Sequence, residues 1–225
     1  SVFDLSIYDY NTAKTWGYGG TDRVHYFTPS KSNVLFVFGT NEFYGLFYYP
    51  EVMGLTDDLI NTFEEGDIRL YYFSRPGALG RLYYKNRPFP NRLAEPIHGF
   101  RVEEAYLNRA EAYAETGKAD LAIKDINYLR RFKFDPDYGA TDYYKYSESQ
   151  FPDPEALINM VRDERRRELC FEFHRWYDLK RYGMPRLVHT YQSETYILNE
   201  RDLRYALQIP QRELDYNPLI EPNPR

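Results

Sequence analysis

RVEEAYLNRAEAYAETGKADLAIKDINYLRR, residues 101–131, is a strongly patterned stretch of the chain. From Arg101 to Thr116 there is no Gly or Pro, and Val102, Ala105, Tyr106, Ala110 and Tyr113 share one face at helical spacing. Gly117 follows at once, and glycine is the residue on which helices commonly end because it tolerates a left-handed backbone. Lys118 to Arg131 then continues the pattern with Ala122, Ile126 and Leu129. Two amphipathic helices joined by so short a turn predict an antiparallel hairpin.

The hairpin resembles a tetratricopeptide repeat. Tyr106, Ala110, Tyr113, Gly117, Ala122 and Ile126 stand where that repeat places its large, small, aromatic, turn, small and apolar residues. A single repeat cannot bury its own apolar face, so neighbours must close the core. Both the rest of this chain and further upstream repeats are expected to do so.

Downstream, a polar, Tyr-rich loop runs from about Phe132 to Pro152. Asp153-Pro154 then reads as a helix start, a capping carboxylate followed by proline at the first helical position. That helix is expected to run to about Arg181, before Gly183 and Pro185. Ala206 to Ile209 is a short apolar run ending in Pro210, and the tail through Pro218, Pro222 and Pro224 reads as extended.

Upstream, residues 1–95 are irregular and aromatic, with turn clusters such as Gly17-Tyr18-Gly19-Gly20 and Arg75-Pro76-Gly77. Val34 to Phe38 is a continuous apolar run between turn signals and predicts a buried strand. Thr56-Asp57-Asp58 predicts a capped helix start, with Leu59, Ile60 and Phe63 at helical spacing and a stop near Gly66. Tyr71-Tyr72-Phe73 and Tyr83-Tyr84 read as strand residues filling a core. The expected organisation is a loop-rich, ligand-facing region over 1–95 and a helical region over 96–225, forming one structural unit. The fold class is mainly α, a tetratricopeptide-like helical scaffold with long irregular loops and a few short strands.

Composition narrows the function. With 29 basic and 34 acidic residues interspersed for a net charge of −5, no basic stripe is available to neutralise a phosphate backbone, and nucleic acid is not an expected partner. No apolar run approaches the roughly 20 residues that cross a bilayer. Ser1 rather than Met opens the chain, which reads as a mature or truncated product lacking its amino-terminal part. The lone Cys170 sits in an apolar helical stretch and reads as a buried structural thiol. The outlying number is the aromatic content: 24 Tyr, 15 Phe and 2 Trp make 18% of the chain. A phenol offers an apolar face with a hydroxyl at its edge, which suits a wet surface binding carbohydrate.

Four segments, in this order and spacing, resemble the carboxy-terminal region of the SusD/RagB family. They are Asp67-Ile68-Arg69, RVEEAYLNRAEA (101–112) with Ile126-Asn127 and Arg130 after it, ERRRELCFEFHRWYDLKR (164–181), and IPQRELDYNP (209–218). The resemblance implies a tetratricopeptide-type scaffold and no cofactor. It also implies a surface-exposed outer-membrane lipoprotein of gut-type Bacteroidota, with a glycan site facing away from the membrane and a SusC-like TonB-dependent transporter as partner. Full-length members are about twice as long, so the lipid-bearing cysteine and earlier repeats would lie outside this chain. Relatives of the RagB branch associated with peptide uptake leave a peptide or glycoprotein-derived ligand open, and the hairpin alone would equally suit a peptide-binding adaptor.

Catalysis has one tempting location. Ile158, Val161, Arg165, Leu169, Glu172 and Trp176 follow one helical stripe, so Arg165 and Glu172 should be partly buried. Glu168 and Glu172 could be drawn as the carboxylate pair of a glycoside hydrolase. Arg162, Arg165, Arg166, Arg167 and Arg175 would keep them ionised, however, and a general acid needs a raised pKa. The preferred reading is that Arg and Glu pair inside the scaffold while Trp176 and Tyr177 pack against the repeat. Arg165→Ala is then expected to lower the melting temperature without altering ligand specificity. His25, His98, His174 and His189 lack metal-ligand spacing, and no metal is expected.

Sugar binding needs aromatic platforms with amide, carboxylate or guanidinium groups nearby, usually on loops. Trp16 and Tyr18 with Arg23 and Asn11 form one cluster, Asn41, Tyr44 and Tyr48 with Glu42 a second, and Tyr143-Tyr144-Tyr146 a third. The candidate glycan contacts are Trp16, Tyr18, Arg23, Asn41, Tyr44 and Tyr48. These match the family's glycan platform in position and character, ahead of the last repeat, rather than residue by residue.

Overall fold

The computed structural model of the protein describes residues 7, 34–38, 55–70, 98–191 and 193–224. Two compact units divide the chain, Ser1–Phe173 and His174–Arg225. Their described elements are β1 (Val34–Phe38), α1 (Asp57–Ile60), β2 (His98–Arg101), α2 (Val102–Glu115), α3 (Ala119–Arg130) and α4 (Pro154–Glu168) in the first. The second holds α5 (Arg175–Arg181), β3 (Leu187–Tyr191), β4 (Glu194–Leu198) and α6 (Gln211–Tyr216).

Gly117 ends α2 in the left-handed conformation the sequence calls for, with φ +72°. Its N–H donates to the carbonyl of Ala114 at 3.2 Å and that of Lys118 to Tyr113 at 2.9 Å, so two orphan carbonyls at the helix end are satisfied. The chain reverses there into α3. The apolar stripes of α2 and α3 meet α4 in one core, in which Val102, Leu107, Ala110, Ala122, Ile126 and Val161 are fully buried. Leu107 and Ala114 join the expected stripe, whereas Tyr113 lies at its margin. α4 starts as predicted: Asp153 accepts from the N–H of Glu155 at 3.2 Å, and Pro154 occupies the first turn.

The predicted single helix from 154 to 181 is two helices. α4 stops at Glu168, and Phe171 and Phe173 take left-handed φ values of +62° and +64° before α5 begins at Arg175. Neither is a residue that marks a helix end by its own preference. The turn carries Glu172 to the guanidinium of Arg101, at 2.9 and 3.0 Å, and that long-range pair is absent from any local pattern.

β1 pairs antiparallel with β2, with an irregularity between Val34 and Phe36. The expected strand is present, but Leu35 is 41% exposed rather than buried. α1 is a single turn, and the Thr56 side chain does not cap it as expected. The segment after it is pinned to the end of the hairpin: the N–H of Ile68 donates to Lys133 and that of Asp135 to Gly66, at 2.9 and 2.8 Å.

In the second unit, β3 and β4 form a hairpin the sequence reading did not include. Trp176 of α5 stacks on Tyr205 with ring centroids 4.9 Å apart, and Tyr205 is buried. Tyr177, expected to be packed, is 71% exposed. The tail is not wholly extended, because Gln211–Tyr216 forms α6 directly after Pro210. Tyr71-Tyr72-Phe73 and Tyr83-Tyr84 lie outside the described residues.

Candidate functional site

The charged motifs come together inside the first unit. Arg69 places Nη1 2.7 Å from Glu164 and 3.1 Å from Glu168, and its other edge grips Asp67 at 2.6 Å. Arg101 leaves β2 with Nη1 3.0 Å from both Glu103 and Glu168, and meets Glu172 through Nε and Nη2. Lys133 lies 3.5 Å from Glu168 and 3.7 Å from Glu103, while Arg167 and Arg130 reach Glu164 at 2.7 and 3.6 Å. Five buried cations (Arg69, Arg101, Arg130, Lys133, Arg167) thus face five buried carboxylates (Asp67, Glu103, Glu164, Glu168, Glu172) in one connected lattice.

The balance of charge sets the protonation states. Burial alone would raise the pKa of Glu164, but Arg69, Arg167 and Arg130 outweigh it and hold the carboxyl well below its ordinary value. Burial alone would lower that of Arg69, and Asp67, Glu164 and Glu168 instead push it well above the usual guanidinium range. For Lys133 burial prevails, so its pKa is lowered despite Glu168 and Glu103.

This lattice is architecture. Glu168 is 1% exposed and Glu172 5%, both are bound to Arg101, and neither presents an oxygen to solvent where a glycosidic bond could approach. Arg165, 6% exposed, is buried as its stripe predicts and donates to Asn108 at 2.7 Å. Cys170 is a buried free thiol whose Sγ lies 3.3 Å from the carbonyl of Arg167. Among the described residues no group of three or more His, Cys, Asp or Glu side chains could hold a metal ion. No described helix is long and apolar enough to cross a membrane.

The same hairpin also organises a surface. Asn127 clamps the backbone of Tyr146 through two 2.8 Å hydrogen bonds, and Arg130 donates from Nε to the carbonyl of Tyr144. The Arg130 guanidinium stacks over Phe134 and Tyr146, at 4.3 and 3.9 Å from their ring centroids. Tyr146 donates to Glu64 and packs on the core, so its role is structural. Of the Tyr143-Tyr144-Tyr146 cluster, only Tyr143 is substantially exposed, at 41%. It meets Tyr138, 36% exposed, edge to face with centroids 5.0 Å apart.

Two glycines shape this pair. A Cβ on Gly66, where φ is +81°, would lie 2.6 Å from Cδ1 of Tyr138, so that ring rests directly on the Gly66 backbone. Gly139, at φ +70°, receives the Tyr143 ring in the same manner, with ring atoms 3.3 Å from a Cβ position. The Tyr138 hydroxyl donates to Glu65, which pushes its pKa up to about 12. The sequence reading gave no role to Tyr138, Glu65 or Gly139, and took Gly66 only as a helix stop. The Tyr138-Gly139 pair, with Tyr143 four residues further on, was the available signal, but Gly66 is brought to Tyr138 only by the fold.

Trp16, Tyr18, Arg23, Asn41, Tyr44 and Tyr48 all lie outside the described residues.

An antiparallel helical hairpin closed by a third helix, charged within and aromatic at its loops, defines a helical-repeat scaffold. The SusD family profile matches residues 83–225, and the chain belongs to that family. Two similar proteins of Formosa agariphila are SusD-like protein P2, 29% identical over 126 residues, and SusD-like protein P25, 32% identical over 126 residues. Each match covers just over half of this chain, 55% and 54%, but only 24% and 22% of the relative. A candidate sugar binding protein of Bacteroides vulgatus is 25% identical with a TM-score of 0.56, over 76% of this chain and 39% of that one. A SusD superfamily protein of the same organism shares the fold at 19% identity and a TM-score of 0.58, over 98% of this chain and 50% of that one.

Proposed function

We propose that this chain belongs to a non-catalytic surface protein that binds oligosaccharide or polysaccharide and hands it to a SusC-like TonB-dependent transporter of the outer membrane. Family membership carries the reading, and the likeness to a candidate sugar binding protein supports it. Attachment to the membrane would be through a lipid anchor on an amino-terminal cysteine. The sequestration of Glu168 and Glu172 by Arg101 supports a non-catalytic role, because a glycosidase needs two carboxyls that reach the scissile bond. Trp16, Tyr18, Arg23, Asn41, Tyr44 and Tyr48 are proposed as glycan contacts, aromatic faces for the rings and polar groups for the hydroxyls.

Affinity gel electrophoresis against a panel of polysaccharides tests this. Retardation by at least one polysaccharide is expected, with loss on combined Trp16→Ala and Tyr44→Ala substitution at an unchanged melting temperature. No retardation by any polysaccharide, together with capture of peptides, would replace sugar binding by peptide uptake. Depolymerisation of a retained glycan that vanishes in Glu168→Gln would overturn the non-catalytic assignment.

A further inference from the structure

We propose that the outer edge of β3 pairs with the β3 edge of a second copy of this chain, joining two hairpins into a four-stranded antiparallel sheet across a twofold axis at His189.

The register decides which main-chain groups are free. Tyr191 and Glu194 close the β3–β4 hairpin, and in so tight a connection the closing pair exchanges hydrogen bonds. Pairs then alternate along the ladder. His189 and Tyr196 bond each other, while Val188 with Ile197 and Thr190 with Thr195 turn their N–H and C=O groups outward. Arg204 agrees with this on the β4 side: its Nη2 donates to the Ile197 carbonyl at 3.1 Å while Asp202 holds the guanidinium at 2.7 and 2.9 Å. That edge is therefore partly blocked. On the β3 side, among the described residues, no hydrogen bond reaches the outward groups of Val188 and Thr190.

An unpaired edge is ordinarily guarded by a charge, a proline or a bulge. β3, Leu187-Val188-His189-Thr190-Tyr191, holds no Asp, Glu, Lys, Arg or Pro, and its register with β4 is unbroken. The sheet is also uncovered: Val188 is 47% exposed, its cross-strand partner Ile197 42% and Tyr196 53%. A two-stranded sheet so exposed is marginal, and pairing two of them gives each β-branched edge residue a neighbour.

The edge itself specifies a second copy as its occupant. Its two outward residues stand one on each side of His189. An antiparallel copy centred there sets Val188 of each chain against Thr190 of the other, and every outward group is bonded at once. Charge agrees with the antiparallel sense. Arg186 is exposed at the entrance of β3 and Glu194 is exposed beside its far end, so the basic end of each copy lies by the acidic end of the other. A parallel copy would set like charges together. The contact is short, so the dimer is weak and reversible.

Disulfide trapping of the whole chain reads the register. At the twofold axis the two copies of residue 189 form a non-hydrogen-bonded pair, whose Cα atoms approach to about 4.5 Å, within disulfide range. His189→Cys should give a covalent dimer under mild oxidation, and the parent, with only the buried Cys170, should not. Tyr196→Cys, the equivalent centre of the β4 edge, is the control and should give little. Sedimentation velocity supplies a readout without added cysteines. His189→Lys and His189→Glu should each be monomeric at concentrations where the parent self-associates, because like charges then face each other across the axis. An equimolar mixture of the two should regain the dimer. Equal trapping through Tyr196→Cys, or none through His189→Cys, overturns the pairing. So does a Lys/Glu mixture that stays monomeric, or a parent that is monomeric up to its solubility limit.

Discussion

Removing the Arg101 guanidinium would leave Glu103, Glu168 and Glu172 buried with one cation fewer among them. A charge orphaned in this way is costly, so Arg101→Met should destabilise the protein by about 3–5 kcal/mol, seen as a lowered urea midpoint. Glu164 makes the acid side of stability predictable. Its folded pKa lies below the ordinary 4.5, so below that value the unfolded chain takes up a proton that the folded one resists. The Glu164 contribution is therefore complete above about pH 4.5 and declines steadily as the pH falls further. Chemical denaturation between pH 7 and pH 3 should show that decline, and Glu164→Gln should be less stable at pH 7 with a shallower acid dependence. Burial of Arg165 was legible at this scale, from its place on an apolar stripe. The partners were not: Arg69 and Glu164 are 95 residues apart, and nothing in either neighbourhood names the other.

At the scale of elements, the hairpin was readable because its signals are local. Helical periodicity, a glycine stop and an Asp-Pro start each act within a turn or two of chain. Gly117→Ala isolates one of them: space for a Cβ is open there, so the whole effect comes from forcing an L-residue to φ +72°. A loss of about 1–2 kcal/mol is expected, measured by thermal denaturation. The end of α4 shows the opposite case. Phe171 and Phe173 resemble helix interior by pattern, and the helix nevertheless breaks where Glu172 turns to Arg101. α6 was missed because three nearby prolines argue for an extended tail, although Pro210 stands just before its first turn, where proline is tolerated.

For the molecule as a whole, stability and binding should separate by residue class. Arg69→Met and Arg101→Met should lower the melting temperature while the surviving folded protein keeps the glycan affinity proposed for it; Trp16→Ala and Tyr44→Ala should weaken that affinity and leave the melting temperature unchanged. A variant of the charge lattice that lost affinity at full folded population would contradict this division. Local pattern was enough to establish a helical scaffold and its hairpin, because amphipathic spacing and capping chemistry are properties of neighbouring residues, and four short segments carried the resemblance to the family that the profile over residues 83–225 then showed. Composition also marked the chain as unusually rich in tyrosine, with 24 in 225 residues. Long-range folding decided which charges neutralise one another, where the last long helix ends, and that Tyr138 rests on Gly66. Those outcomes depend on pairs far apart in the chain, and the energy of burying a charge or seating a ring exists only once both members of the pair have met.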